Sequence, residues 1–204
     1  MLNLQSMRAG EQPAYPLLDA EQRFLLEGVP WATYVGLRDA LEHSTVRMTY
    51  VEGRLELMSP SETHELSKTT IARLIELYAL EKGIHLNGYG SMTFRKEAKE
   101  RGAEPDECYV LGGRLEERPD IVLEVVVTSG GIDKLAIYQG LGVPEVWFFE
   151  SGRFQLHRLG PEGYSPVGTS AFLPELDIAE IARYVGYADQ TEALLAFRAT
   201  LRHE

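Results

Sequence analysis

A single cysteine, Cys108, is all the thiol chemistry in the 204 residues. That excludes an internal disulfide framework and a multi-cysteine zinc site. No apolar run approaches the ~20 residues needed to span a bilayer. The stretch from Met1 to Gly10 lacks the apolar centre of a secretory signal. A cytoplasmic protein with no membrane partner is the expectation. Cations are also scarce, with 20 Lys+Arg against 31 Asp+Glu and a formal net charge of −11. Such a balance disfavours broad, sequence-independent adhesion to nucleic acid, though not a local contact at one site. Internal repeats, low-complexity tracts and linker-like segments are absent, and the length suits one domain with a real core.

What is present begins with an arm, residues 1–27, carrying Pro13 and Pro16 and little periodicity. Residues 28–204 read as one domain. A helix is expected over Ala32 to Glu42. Val46 to Val51 and Arg54 to Met58 flank Glu52-Gly53, which predicts a β-hairpin with Gly53 at positive φ. Ser59-Pro60-Ser61-Glu62 predicts a helix start, with Ser59 as N-cap and Glu62 closing a capping box. That helix would bury Ser67, Ile71, Leu74, Ile75 and Tyr78, carry His64 in its first turn and stop at Gly83. Short extended pieces follow, then strands from Asp106 and Ile121 and a helix from Ile132 to Leu141. A hairpin over Val146 to Leu159, a strand near Tyr164 and two C-terminal helices complete the chain. The core order is helix, three strands, helix, strand, an α/β (α+β) layout around one mixed sheet.

The run from Ile121 to Val127 is apolar and β-branched, a strand covered on both faces. Glu124 stands inside it, and an ionised carboxylate there needs compensation. Asp120 lies on the same strand face but about 13 Å away at the usual rise, too far to share an ion. Asp106 opens a different strand that could lie alongside. Two carboxylates meeting from neighbouring strands, with a backbone carbonyl and waters, suit Mg²⁺ or Mn²⁺. Lys134, in the first turn of the next helix, opposes the helix dipole and can reach back toward Glu124. The only dense basic strip, Arg95, Lys96, Lys99 and Arg101, is a solvated face or a phosphate contact. Cys108 reads as small core packing, Asp120 as a shaper of the strand entry, and Trp31, Trp147 and Phe148 as core aromatics.

The spacing of Asp106 and Glu124, with Pro105 before the first, resembles the PD-(D/E)XK nuclease superfamily. More closely, residues 28–185 resemble the Uma-two family within it. The matching pieces are Tyr50 to Glu56, Met58-Ser59-Pro60 with His64, Glu104-Pro105-Asp106, Pro119-Asp120 through Glu124-Val125, Lys134 with Tyr138, and Gly142 to Trp147. The resemblance implies a restriction endonuclease-like fold and metal-dependent hydrolysis of phosphodiester bonds, with DNA as substrate. It implies Asp106 and Glu124 as metal ligands and Lys134 in the place of a lysine that the superfamily carries where Val126 stands here. Gly130 also replaces an aspartate common in the family. His64 and Glu52 are expected as accessory residues. The alternatives are a nuclease-fold protein that binds or assembles without cutting and a small-molecule hydrolase using the same metal site. Self-association as a homodimer, through the arm and the aromatic-rich helix ends, is expected.

Overall fold

The computed structural model describes residues 21–128 and 131–202. The first half gives strand β1 (Gln22–Leu26), helix α1 (Trp31–Ala40), strands β2 (Arg47–Val51) and β3 (Arg54–Ser59), and helix α2 (Glu62–Lys82). Short strands β4 (Leu86–Gly88), β5 (Phe94–Lys96) and β6 (Arg101–Ala103) follow. The second half gives β7 (Glu107–Leu111), β8 (Ile121–Val126), α3 (Lys134–Leu141), β9 (Glu145–Glu150), β10 (Arg153–Gly160), β11 (Gly163–Val167), α4 (Ile178–Val185) and α5 (Gln190–Leu201).

The expected mixed sheet is six-stranded, in the order β11-β10-β9-β8-β7-β4. Its one parallel pair, β8 with β9, is joined through α3. The hairpin does not join it. Instead β1-β3-β2-β6-β5 form a second, antiparallel sheet. The two-residue loop of the hairpin has both residues left-handed, Glu52 at φ 44° and Gly53 at φ 84°, which matches the twist of antiparallel strands. The helix start is two residues later than the spacing suggests. Ser59 pairs with Gln22 and stays in β3, so Ser61 becomes the N-cap and accepts from the His64 amide at 3.1 Å. The stop at Gly83, φ 66°, is as expected.

Alternation along β8 divides its side chains between two environments. Ile121, Leu123 and Val125, with Trp147, Phe149 and Leu156, pack on α2, α4 and α5 through Ile71, Leu74, Ile75, Tyr78, Ile181 and Phe197. Full burial of each aliphatic side chain contributes roughly 1.5–3 kcal/mol. The other face meets α3, where Cys108, Val122 and Val146 contact Ile137 and Tyr138. A third cluster, Tyr34, Met48, Tyr50 and Leu55, lies between α1 and the antiparallel sheet. The first twenty residues of the expected arm lie outside the described residues. The rest of it, from Glu21, is part of the fold: β1 pairs along β3 because Leu55–Ser59 offers it a free sheet edge.

Candidate active site

The α3-facing side of the mixed sheet gathers the candidate residues. Glu107 pairs with Leu123 and Cys108 with Val122, so one step further back Asp106 faces Glu124 across the ladder. Asp106 Oδ2 accepts from the Val125 amide at 2.7 Å, which ties the two strand ends together. Asp106 is 1% exposed and Glu124 is fully buried. Asp133 caps α3 by accepting from the Leu135 and Ala136 amides. The first helical residue, Lys134, turns its Nζ onto Glu124 Oε2, and Tyr138 donates its hydroxyl to Glu124 Oε1. Lys134 and Tyr138 are four apart, hence on one helix face.

The electrostatics follow from this crowding. Burial pushes the Glu124 carboxyl up, Asp106 pushes it further, and Lys134 and Tyr138 only partly counter them, leaving it at about 7. Asp106 is also buried, but His64, Lys134 and the Val125 N–H hold it below the ordinary aspartate value. Burial opposes the Lys134 charge, yet Glu124 and Asp106 outweigh it and keep the ammonium protonated.

A second layer surrounds the pair. His64, fully buried, places Nδ1 2.5 Å from Glu21 Oε1 and Nε2 2.9 Å from Asp106 Oδ1. Burial alone would lower its pKa; the two carboxylates overturn that and raise it to about 9, so the ring is an imidazolium. Glu21 also accepts from Thr128 Oγ1 at 2.7 Å and from Arg23 Nη2 at 3.0 Å. These partners and His64 overcome burial and hold it down to about 2. Arg23 Nη1 reaches Glu56 Oε1 at 3.3 Å. Glu56 Oε2 accepts from the Ile132 amide at 3.1 Å. Beside it, Gly131 has φ 112°, and a Cβ there would stand 2.0 Å from Glu56 Oε2. Glycine is what lets the β8–α3 loop close over this carboxylate.

Of the residues named from sequence, Asp106, Glu124, Lys134 and His64 come together. Glu52 does not join them; it sits in the hairpin loop and pairs with Arg101 at 2.9 Å. Of the basic strip, Arg95 pairs with Asp39 at 3.0 Å, Arg101 is taken by Glu52, and Lys96 and Lys99 are exposed. Asp120 Oδ2 accepts from the Leu111 amide at 2.9 Å, a strand-entry role. Cys108 is buried core. Gly130 lies outside the described residues. Sequence reasoning missed Glu21, Arg23 and Glu56. It quoted Tyr138 without a role, although its spacing from Lys134 is the signal that places both on Glu124.

Phe148 is also corrected. It pairs with Glu124 in the β8–β9 register and with Gln155 in the β9–β10 register. It therefore projects from the site face, packed against the core cluster beneath α3 but only partly buried. It borders a cleft of about 290 Å³ that Lys134, Arg23, Gln155 and His157 also line.

The donor set suits a hard divalent cation in kind. Each oxygen of Glu124 accepts one hydrogen bond among the described residues, and a carboxylate oxygen has capacity for two. Asp106 Oδ1 is buried and accepts no aligned hydrogen bond there, since His64 Nε2 stands off the bonding line. Two carboxylates with spare lone pairs offer oxygen ligands of the type Mg²⁺ or Mn²⁺ takes. Among the described residues no group of three or more His, Cys, Asp or Glu could hold a metal ion. Further ligands would have to be backbone, water or substrate oxygens.

A solved structure from Anabaena variabilis ATCC 29413, described as a "putative nuclease belonging to DUF820", is similar at 12% identity with a TM-score of 0.49. The match covers 74% of this chain and 90% of that one. No curated protein matches the chain. The model of the Uma2 family, described as "Putative restriction endonuclease", matches residues 31–185. With well over half of its length matched, the chain belongs to the Uma2 family.

Proposed function

We propose that the protein is a divalent-metal-dependent endonuclease that hydrolyses phosphodiester bonds in nucleic acid, DNA in the first instance. The observation that carries this reading is the pairing of Asp106 and Glu124 from adjoining strands, with Lys134 delivered to Glu124 by the following helix. Asp106 and Glu124 would hold the cation, which supplies Lewis-acid activation of water and neutralises developing phosphate charge.

The chain's own residues prepare that chemistry. Lys134 keeps its charge and lines the cleft, so it offers positive charge where an anionic phosphate would approach. Tyr138 fixes one oxygen of Glu124, and His64 with the Val125 amide fixes Asp106. Glu21, itself held by the Thr128 hydroxyl, in turn holds His64 in place. Pre-set side chains of this kind spare reorganisation during reaction.

The test is a cleavage assay on single- and double-stranded DNA and RNA with Mg²⁺ or Mn²⁺, beside metal-binding calorimetry. Metal-dependent cleavage is expected, falling about 10²–10³-fold in both Asp106→Ala and Lys134→Met. Undiminished cleavage by Asp106→Ala, or a wild type that neither binds metal nor cuts any of the four substrates, overturns the reading.

A further inference from the structure

We infer that the cleft beside Lys134 is a nucleobase subsite, with Phe148 as its stacking platform, and that the preferred substrate is single-stranded or locally unpaired nucleic acid. This rests on the nuclease reading above and goes beyond it in naming the form of the substrate.

The sheet register supplies the first reason. Asp106, just ahead of β7, and Glu124, Phe148 and Gln155 on β8, β9 and β10 stand in one row, all on the face that α3 partly covers. A reacting phosphate at the carboxylates therefore has a partly exposed aromatic ring as its neighbour on the next strand. Aromatic rings at such positions stack bases of any identity, because every base has a π-face.

The second reason is the wall of the cleft. The His157 ring meets Phe148 edge-on, at 5.7 Å between centroids and 81° between planes. His157 Nδ1 is shielded from solvent and has no hydrogen-bond partner among the described residues. Gln155, exposed on the same wall, carries amide donors and an acceptor. The exposed Gln155 amide, beside an aromatic face, is a group of the kind that reads the edge of an unstacked base.

The third reason is size and charge. About 290 Å³ is at the small end of ligand clefts, roughly 300–1,000 Å³. It has room for one nucleotide, and a base within a duplex would have to leave its stack to enter. The net charge of −11 provides little long-range attraction for a duplex. Recognition must then come from short-range contacts such as stacking.

The experiment uses the full chain in buffer with EDTA, so that nothing is cut. Anisotropy of a short labelled single strand is compared with that of its duplex for wild type, Phe148→Ala, Phe148→Leu and Phe148→Trp. A second strand carries 2-aminopurine, whose fluorescence is quenched on stacking. Expected are tighter binding of the single strand than of the duplex, and a loss of about tenfold in both Phe148→Ala and Phe148→Leu. Phe148→Trp should retain affinity and quenching, and duplex binding should be the same in all four proteins. Phe148→Leu keeps an apolar side chain, so its loss separates stacking from misfolding. Equal single-strand affinity across the four, or no quenching with the wild type, overturns the subsite while leaving the cleavage result standing. A wild type that binds neither strand form and also fails the cleavage assay overturns both readings together.

Discussion

Glu124 and Glu145 sit on neighbouring strands of the mixed sheet, and neither exposes any surface. Their surroundings differ in one respect. Glu145 has two donors on each oxygen: Arg158 Nε at 3.0 Å and the Ala171 amide at 2.7 Å on one, Trp147 Nε1 at 3.1 Å and Ser170 Oγ at 2.7 Å on the other. Glu124 has one donor on each, and a second carboxylate beside it. A saturated carboxylate is a staple that joins β9 to β10 and to the segment around Ser170. An under-supplied one keeps lone pairs free, as the cation-binding role proposed for Glu124 requires. Burial therefore does not distinguish structure from chemistry in this sheet; the count of donors does.

The strongest way to break that comparison is to neutralise each glutamate in turn. Glu124→Gln should lower metal-dependent cleavage by about 10³-fold. Folding stability should fall by less than in Glu145→Gln, because an amide oxygen can still accept from Lys134 or Tyr138 and Asp106 still faces the Lys134 ammonium. Glu145→Gln should do the reverse, costing about 2–3 kcal/mol in urea unfolding, because an amide nitrogen in place of one carboxylate oxygen leaves buried donors such as the Trp147 indole or the Ala171 amide without an acceptor, while cleavage per folded molecule stays near wild type. Equal stability losses, or equal activity losses, would erase the distinction.

His64 extends the comparison to pH, in metal-free buffer. Its pKa is raised from 6.5 to about 9 in the fold, so its contribution is fully present below about pH 6.5 and is lost as pH rises through 9. The span corresponds to roughly 3 kcal/mol at most. Glu21 has the opposite sign, with a pKa lowered from 4.5 to about 2. Its contribution is present above about pH 4.5 and is lost as pH falls through 2. Thermal melts of His64→Gln should lack the alkaline decline between pH 6.5 and 9; a decline identical to wild type would show that the ion pairs carry no stability. The smallest effect belongs to Tyr138→Phe. Removing one of the two donors on Glu124 should cost about 1–2 kcal/mol and about tenfold in cleavage, less than Glu145→Gln in stability and less than Glu124→Gln in activity. A silent Tyr138→Phe in both assays would mean that the hydroxyl does not position Glu124.

Local patterns were the legible part of the sequence. The hairpin, the helix stop at Gly83, β8 and the helix after it all follow from turn residues and apolar spacing. The meeting of Asp106 and Glu124 was legible too, because a lone carboxylate in an apolar strand demands a partner. The partners contributed by β1 were not. Glu21 and Thr128 are 107 residues apart, and Arg23 and Glu56 are 33 apart, so no local period records them. The same limit explains Phe148. Alternation puts it on one side of β9, but only the lateral register with Glu124 and Gln155 shows that this side opens onto a cleft. Ser59 was misread for a related reason, since pairing with β1 outweighed its capping preference.

Among the described residues the antiparallel sheet ends at β1, which has β3 on one side and no strand on the other. A strand with a single neighbour can detach at less free energy than the whole fold needs to unravel. When β1 lifts away it takes Glu21 from His64 and Arg23 from Glu56, and the imidazolium is left with Asp106 as its sole counter-ion among the described residues. Amide exchange in Gln22–Leu26 should accordingly run ahead of that in Ile121–Val126, and equal protection would contradict it. The setting of Asp106 by His64 thus depends on β1: the cleavage proposed above should decline with the occupancy of β1 as temperature rises, before the mixed sheet begins to melt.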